Sequence, residues 1–163
     1  QRAGNPLFYR RIMAARERLG VRVIDYQHAT RPTLQALRDG CAVAFAADQH
    51  AGRAGIRVPF FGRPASTFRG PALMALRTGS PMYVTIPLRM EDGSYELRFE
   101  PVDTSPSGDM EADVARVTRE WVRLLEAAVR RHPGQYLWHH RRWRVEAVTE
   151  GVTGEEQAGG REV

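Results

Sequence analysis

The sequence predicts an α/β domain built on a largely parallel sheet. Three observations lead there. Strand-like and helix-like stretches alternate along the chain, the pattern of a parallel sheet with crossover helices. Cys41 to Ala47 is a nearly unbroken apolar run, short enough for a strand buried on both faces. Asp48-Gln49-His50 follows it directly, and α/β proteins place ligands beyond the carboxyl ends of strands.

Taken in order, Asn5-Pro6 starts a helix that runs from Leu7 to Leu19, with Leu7, Ile12, Ala15 and Leu19 roughly on one face and Gly20 as its stop. Val21 to Tyr26, rich in β-branched and aromatic residues, reads as a strand. Thr33 to Arg38 is a short helix after Pro32, and Cys41 to Ala47 is the buried strand. Arg57 to Phe61 is extended and is broken by Gly62-Arg63-Pro64. Thr67 to Thr78 reads as a helix with Gly79 after its end. Met82 to Arg89 and Tyr95 to Phe99 flank Asp92-Gly93, a strong hairpin signal. Glu111 to Arg131 is the clearest helix: Val114, Val117, Trp121, Leu124, Leu125 and Ala128 follow helical spacing. His132-Pro133-Gly134 ends it, and an aromatic and basic segment, Gln135 to Arg144, follows. Residues 1–147 read as one domain portion, and the Gly- and Glu-rich residues 148–163 as a disordered tail.

Composition bounds the function. A chain of 163 residues suits one globular domain or most of one. All 24 of its basic residues are arginines, against 19 acidic residues, for a formal charge of +5. Arginine presents a planar fork of donors that suits phosphate and carboxylate, so the balance favours anionic partners: nucleic acid, an anionic membrane surface or an acidic carrier protein. The single cysteine, Cys41, excludes an intramolecular disulfide framework and is expected in the core. No uncharged apolar run approaches the ~18–20 residues that span a bilayer. The chain opens on Gln1 rather than Met and is read as a piece of something longer.

The generic nucleophile-elbow, P-loop, dinucleotide-binding and H-E-x-x-H patterns are absent. The five histidines are scattered without acidic partners at ligand spacing, so neither a metal nor a cofactor is expected. Trp138 and Trp143 interleave with Arg141, Arg142 and Arg144. That pattern serves nucleic-acid stacking, a lipid-headgroup interface, or a packed terminal segment with solvated arginines.

Three stretches, in order over residues 1 to 144, resemble one known family. They are Arg2 with Asn5-Pro6-Leu7, then Asp48-Gln49-His50 with Gly55-Ile56-Arg57-Val58-Pro59-Phe60-Phe61-Gly62-Arg63-Pro64-Ala65, Thr67, Gly70, Ala72 and Thr78-Gly79. The last is Pro133-Gly134-Gln135-Tyr136-Leu137-Trp138-His139-His140-Arg141-Arg142-Trp143. Together they resemble the bacterial lipid A biosynthesis (late) acyltransferases of the lauroyl/myristoyl type.

The resemblance implies an α/β sandwich like that of glycerol-3-phosphate acyltransferase. It implies an enzyme on the cytoplasmic face of the inner membrane that moves a fatty acyl chain from acyl-carrier protein to a hydroxyl of a Kdo-bearing lipid A precursor. Acyl-carrier protein, the lipid A precursor and an anionic membrane surface are then the partners, and nucleic acid is not. The family's base is the histidine of an H-x-x-x-x-D/E dyad. Here Thr33, Gly55, Leu137, Arg144 and Val145 stand five residues after the histidines, so the dyad is missing and the chain alone is expected to be inactive. In the family it lies upstream of the Arg…Asn-Pro stretch, hence before Gln1. Gly134 stands where the family commonly has Glu.

Carried over by position, Arg2 is the catalytic candidate, a cation for the thioester carbonyl or a substrate phosphate. A solvated terminal arginine is the plain alternative. Asn5, Asp48, Gln49, Arg63, Thr67 and Arg69 are the substrate-binding candidates. Asp48 and Gln49 would shape the acceptor pocket, or simply cap a loop; Arg63 and Arg69 would meet lipid A phosphate or the acidic carrier. Two rivals stay open: an acyltransferase of the same superfamily acting on another glycolipid, such as a phosphatidylinositol mannoside, and a non-catalytic basic module for nucleic acid or anionic lipid.

Overall fold

The computed structural model describes residues 5–25 and 28–144. The tail expected at 148–163 lies outside them. Helix α1 spans Pro6–Arg18, capped by the Asn5 side chain, which accepts from the Leu7 and Phe8 N–H groups. Helix α2 spans Thr30–Arg38 and α3 spans Gly70–Thr78. Helix α4, Met110–Arg131, is the long one; Asp109 caps it, and Glu111 and Asp113 in its first turn suit the positive end of the helix dipole. Strands β1 (Ile56–Phe60) and β2 (Arg63–Thr67) form one hairpin, and β3 (Met82–Arg89) and β4 (Tyr95–Val102) another.

The expected parallel sheet is not there. Each sheet has two strands and both are antiparallel, with Val58 opposite Ala65 and Ile86 opposite Arg98. The connections dictate this: a two-residue link, Phe61-Gly62, and a short link around Asp92-Gly93 join only antiparallel neighbours, because a parallel pair needs a crossover of about a dozen residues. The β-branched run at 21–25 and the apolar run at 41–47 form no strand and pair with none among the described residues. Without a ladder they remain largely exposed, Cys41 included, so the cysteine expected in the core is at the surface.

Gly62-Arg63-Pro64, expected as a break, is instead part turn and part strand, because Arg63-Pro64 open β2. Phe61 (φ 52°) and Gly62 (φ 71°) both take the left-handed region, which matches the type I′ geometry that lets a chain reverse in two residues. Thr67, expected at a helix start, instead ends β2, and α3 begins at Gly70.

Helix α4 is the bar on which the rest packs. Val114, Val117, Trp121, Val122 and Val129 are buried against Val58, Phe60, Ala65, Ala72 and Val102, which brings both hairpins and α3 onto one helix. At roughly 1.5–3 kcal/mol for each large buried side chain, this seam is the main source of stability. Ile86 and Leu88 of β3 close over Ala128 in a smaller cluster.

Candidate functional site

Beyond Ala47 the chain turns through Asp48-Gln49-His50 and a short 3₁₀ turn, Gly52–Ala54, into β1. The turn lies against β2: Ser66 donates its hydroxyl to the Gly52 carbonyl at 2.6 Å, and the Ala51 N–H donates to the Ser66 carbonyl at 3.2 Å. Gly55 is required here, because a Cβ at that position would lie 2.2 Å from Ser66 Oγ and 2.9 Å from the Thr67 carbonyl oxygen.

The segment after α4 closes over this turn. His140 Nε2 accepts from the His50 N–H at 2.9 Å. An accepting Nε2 means a neutral ring with its proton on Nδ1. Burial holds the His140 pKa below its ordinary value, and the Arg144 charge adds to the effect. Tyr136 directs its hydroxyl at the Asp48 carbonyl, 3.5 Å away. Burial and then the Asp48 charge raise the phenol's pKa.

Arg142 is the centre of the arrangement. It is 1% exposed, donates through Nη1 to the Ser66 carbonyl and through Nη2 to Thr67 Oγ1 at 2.6 Å, and lies over the Phe60 ring at 5.7 Å. Its Nε is buried without a hydrogen-bond partner. It forms no ion pair among the described residues; burial disfavours its charge, and Tyr136 and then Asp48 oppose that effect. A guanidinium this buried is costly unless its donors are met, so its position depends on the end of β2.

The site therefore joins two segments far apart in sequence. Asp48, Gln49 and His50 stand half-buried on one side, and Tyr136, His140 and Arg142 on the other, with Ser66 and Thr67 between them. Such a set offers a carboxylate and an amide to hydrogen-bond hydroxyls, beside a fixed positive charge that favours anionic groups. Among the described residues no three metal-ligating side chains converge.

The sequence candidates distribute unevenly. Asp48, Gln49 and Thr67 meet here. Arg63 lies at the edge, its guanidinium 5.5 Å over the Trp143 ring, which stacks on Phe60. Asn5 caps α1, a helix with no buried residue, and Arg69 pairs with Glu111 of α4 at 2.6 Å. Arg2 lies outside the described residues. Tyr136, His140 and Arg142 were not among the site candidates; their one signal in the sequence was the tight alternation of aromatic and basic residues. Two surface grooves lie elsewhere. One, of about 380 Å³, is lined by Arg22, Asp25, His28 and Asp39; the other, of about 800 Å³, runs beside the outer face of α4.

Comparison with known proteins fixes the family. Residues 1–145 match the family model for bacterial lipid A biosynthesis acyltransferases. The chain belongs to that family. It is 32% identical over 116 residues to the lipid A biosynthesis lauroyltransferase of Escherichia coli, covering 69% of this chain and 37% of the relative. It is 27% identical over 135 residues to the phosphatidylinositol mannoside acyltransferase of Mycolicibacterium smegmatis, covering 80% of this chain and 42% of the relative. The Escherichia coli lipid A biosynthesis palmitoleoyltransferase matches at 32% over 123 residues, covering 74% and 39%. The chain thus spans about two fifths of the length of these relatives. The family is that of lipid acyltransferases, and the matches divide between two glycolipids, so membership does not select the lauroyl/myristoyl type. Family membership implies a membrane-associated setting, and among the described residues no helix is long and apolar enough to cross a bilayer.

Proposed function

We propose that the chain is part of an acyltransferase that moves a fatty acyl group from acyl-carrier protein to a hydroxyl of a Kdo-bearing lipid A precursor at the cytoplasmic face of the inner membrane. The observation that carries this reading is the closure of the third motif stretch over the second, through His140 on His50 and Arg142 on Ser66 and Thr67. Two of the stretches that resemble the family thereby build one site.

In the reaction the acceptor hydroxyl oxygen attacks the thioester carbonyl, an ester C–O bond forms, and the C–S bond breaks. The hydroxyl proton passes by way of a base to the leaving thiolate. The chain has no histidine with an acid five residues on, so in this reading the base is a group outside it. Asp48 and Gln49 hold the acceptor sugar, with Thr67 and Asn5 on the substrate-binding side. Arg63 and Arg69 meet phosphate or the acidic carrier, and Arg2 stabilises the oxyanion that forms at the carbonyl.

Deleting the gene in its own host tests the reading: mass spectrometry of the lipids is expected to show a lipid A lacking one acyl chain. An unchanged acylation pattern overturns it. The mycobacterial relatives favour a second acceptor, and accumulation of an under-acylated phosphatidylinositol mannoside would assign that one instead. The isolated chain, supplied with acyl-carrier thioester and acceptor, is expected not to turn over. Transfer at a rate near that of the full-length relatives would show that the base lies within it.

A further inference from the structure

The acidic residues of this chain are not spread evenly. From Gln49 to Met90 there is no Asp or Glu, and again none from Ala127 to Val145, while these two stretches carry Arg53, Arg57, Arg63, Arg130, Arg141 and Arg144 among others. The fold brings the stretches together at the tip of the β1–β2 hairpin. Phe61 stands at that tip, 5.7 Å from the Trp138 ring, with the Arg130 guanidinium, itself paired with Glu126, 4.7 Å over the Phe61 ring. Arg63 lies over Trp143 beside it. Phe61 holds a backbone conformation (φ 52°) that bulky side chains avoid. Its N–H bond to Glu126 at 2.6 Å and its ring contacts hold it there. The tip is thus a rigid platform, and on it Trp138 is 47% exposed and Leu137 39% exposed.

An exposed Trp–Leu pair beside Arg63, which makes no ion pair among the described residues, and the exposed Arg141, is the chemistry of a surface that enters a lipid headgroup layer. The indole settles at the polar–apolar boundary, and arginine stems lie along it with their heads at phosphates. Leucine gives nothing to a nucleic-acid base, and an acidic protein alone would not call for the apolar pair. We propose that this tip, with Leu137 and Trp138 inserted and Arg63 and Arg141 on lipid phosphates, is the face that seats the protein on an anionic bilayer. The proposal rests on the reading of the chain as part of an enzyme that works on lipids, and it assigns the membrane surface to one named place.

The test uses the 163-residue chain and sonicated vesicles, one set phosphatidylcholine alone and one an equimolar mixture with phosphatidylglycerol. Co-sedimentation is expected only with the anionic vesicles, weakening with salt, and with a blue shift of tryptophan emission. The double variant Leu137→Ser/Trp138→Ala is expected to lower partitioning by about tenfold. Arg63→Gln/Arg141→Gln is expected to lower it and flatten the salt dependence. Circular dichroism confirms that these exposed substitutions leave the fold intact. Phe8→Ser in α1, whose Phe8 is 58% exposed, is the control and is expected to bind as the parent does.

Binding that survives the tip variants, or is lost with Phe8→Ser instead, overturns the proposal. So does equal binding to neutral vesicles, or displacement from vesicles by duplex DNA or an acidic carrier protein at comparable concentration. Lipid profiles of the gene deletion are read separately, so failure here leaves the acyl-transfer reading standing, and failure there leaves vesicle binding to be judged alone.

Discussion

Arg142 is the residue whose removal says most about the site. Arg142→Met keeps the apolar stem over Phe60 but leaves the Ser66 carbonyl and Thr67 hydroxyl each without a charged donor. Losing such buried partners costs about 1–3 kcal/mol, so the urea midpoint is expected to fall with an unchanged m-value. An unmoved midpoint would show that Arg142 contributes nothing there. His140 makes a pH prediction. Its pKa is depressed in the fold, so the unfolded chain binds the proton more readily and stability rises with pH. The contribution is complete above about 6.5 and is lost as pH falls through the lower folded value. Asp48 opposes that depression, while Arg142, Arg144 and His50 add to it. Hydrogen exchange of the His50 amide is the direct readout, because a protonated His140 no longer accepts from it. His140→Gln keeps an acceptor that does not titrate, and is expected to remove the pH dependence of that amide. These roles were hidden in the sequence, where a buried arginine and a solvated one are written alike. The position of Asp48 and Gln49 at the end of an apolar run was legible.

Among the elements, the hairpin β1–β2 depends on two turns of different kinds. Gly55→Ala drives a methyl into Ser66 Oγ and the Thr67 carbonyl, and overpacking of this sort costs about 1–3 kcal/mol. Its melting temperature is expected to fall, and with it the protection of the Ala51 and His50 amides. A variant as stable as the parent would mean that the close approach of this turn to β2 is not needed. The other turn is latched by Glu126, whose pKa burial raises but the Phe61 N–H and Arg130 together bring below its ordinary 4.5. A depressed carboxylate pKa stabilises the fold above about 4.5 and ceases to do so as pH falls through the folded value. Glu126→Gln is therefore expected to loosen the tip at neutral pH and to narrow the difference between pH 6 and pH 3, followed through Trp138 emission. The four helices and the Asp92-Gly93 hairpin were legible because each carries its own local signal of periodicity, cap or turn. The Phe61-Gly62 turn was not, since Phe at a left-handed position contradicts the usual turn chemistry, and Glu126 and Arg130, remote in sequence, hold it there.

For the molecule as a whole, stability is concentrated on one side. Helix α4 gathers α3 and both hairpins into the core, whereas α1 buries nothing and the run at 41–47 finds no ladder among the described residues. This is where the expectation of a parallel sheet failed. The apolar run carries every local mark of a buried strand, but a strand is made by its neighbour's hydrogen bonds and not by its own side chains. Of the backbone amides from Cys41 to Ala47, that of Cys41 alone is bonded among the described residues, to the Ala36 carbonyl at 2.9 Å. Local opening free energy follows from such bonds and from burial, so hydrogen exchange in the isolated chain is expected to divide sharply. Amides 42–47 exchange at close to unprotected rates, while those in α4 and in the β3–β4 ladder persist up to the global unfolding limit. Cys41, being exposed, is expected to react with a maleimide about as fast as a free cysteine does, without denaturant. Protected amides at 42–47 together with a slow thiol would mean that this segment is paired and covered in solution, and the division of the molecule into a packed half around α4 and an open half before residue 48 would then be wrong.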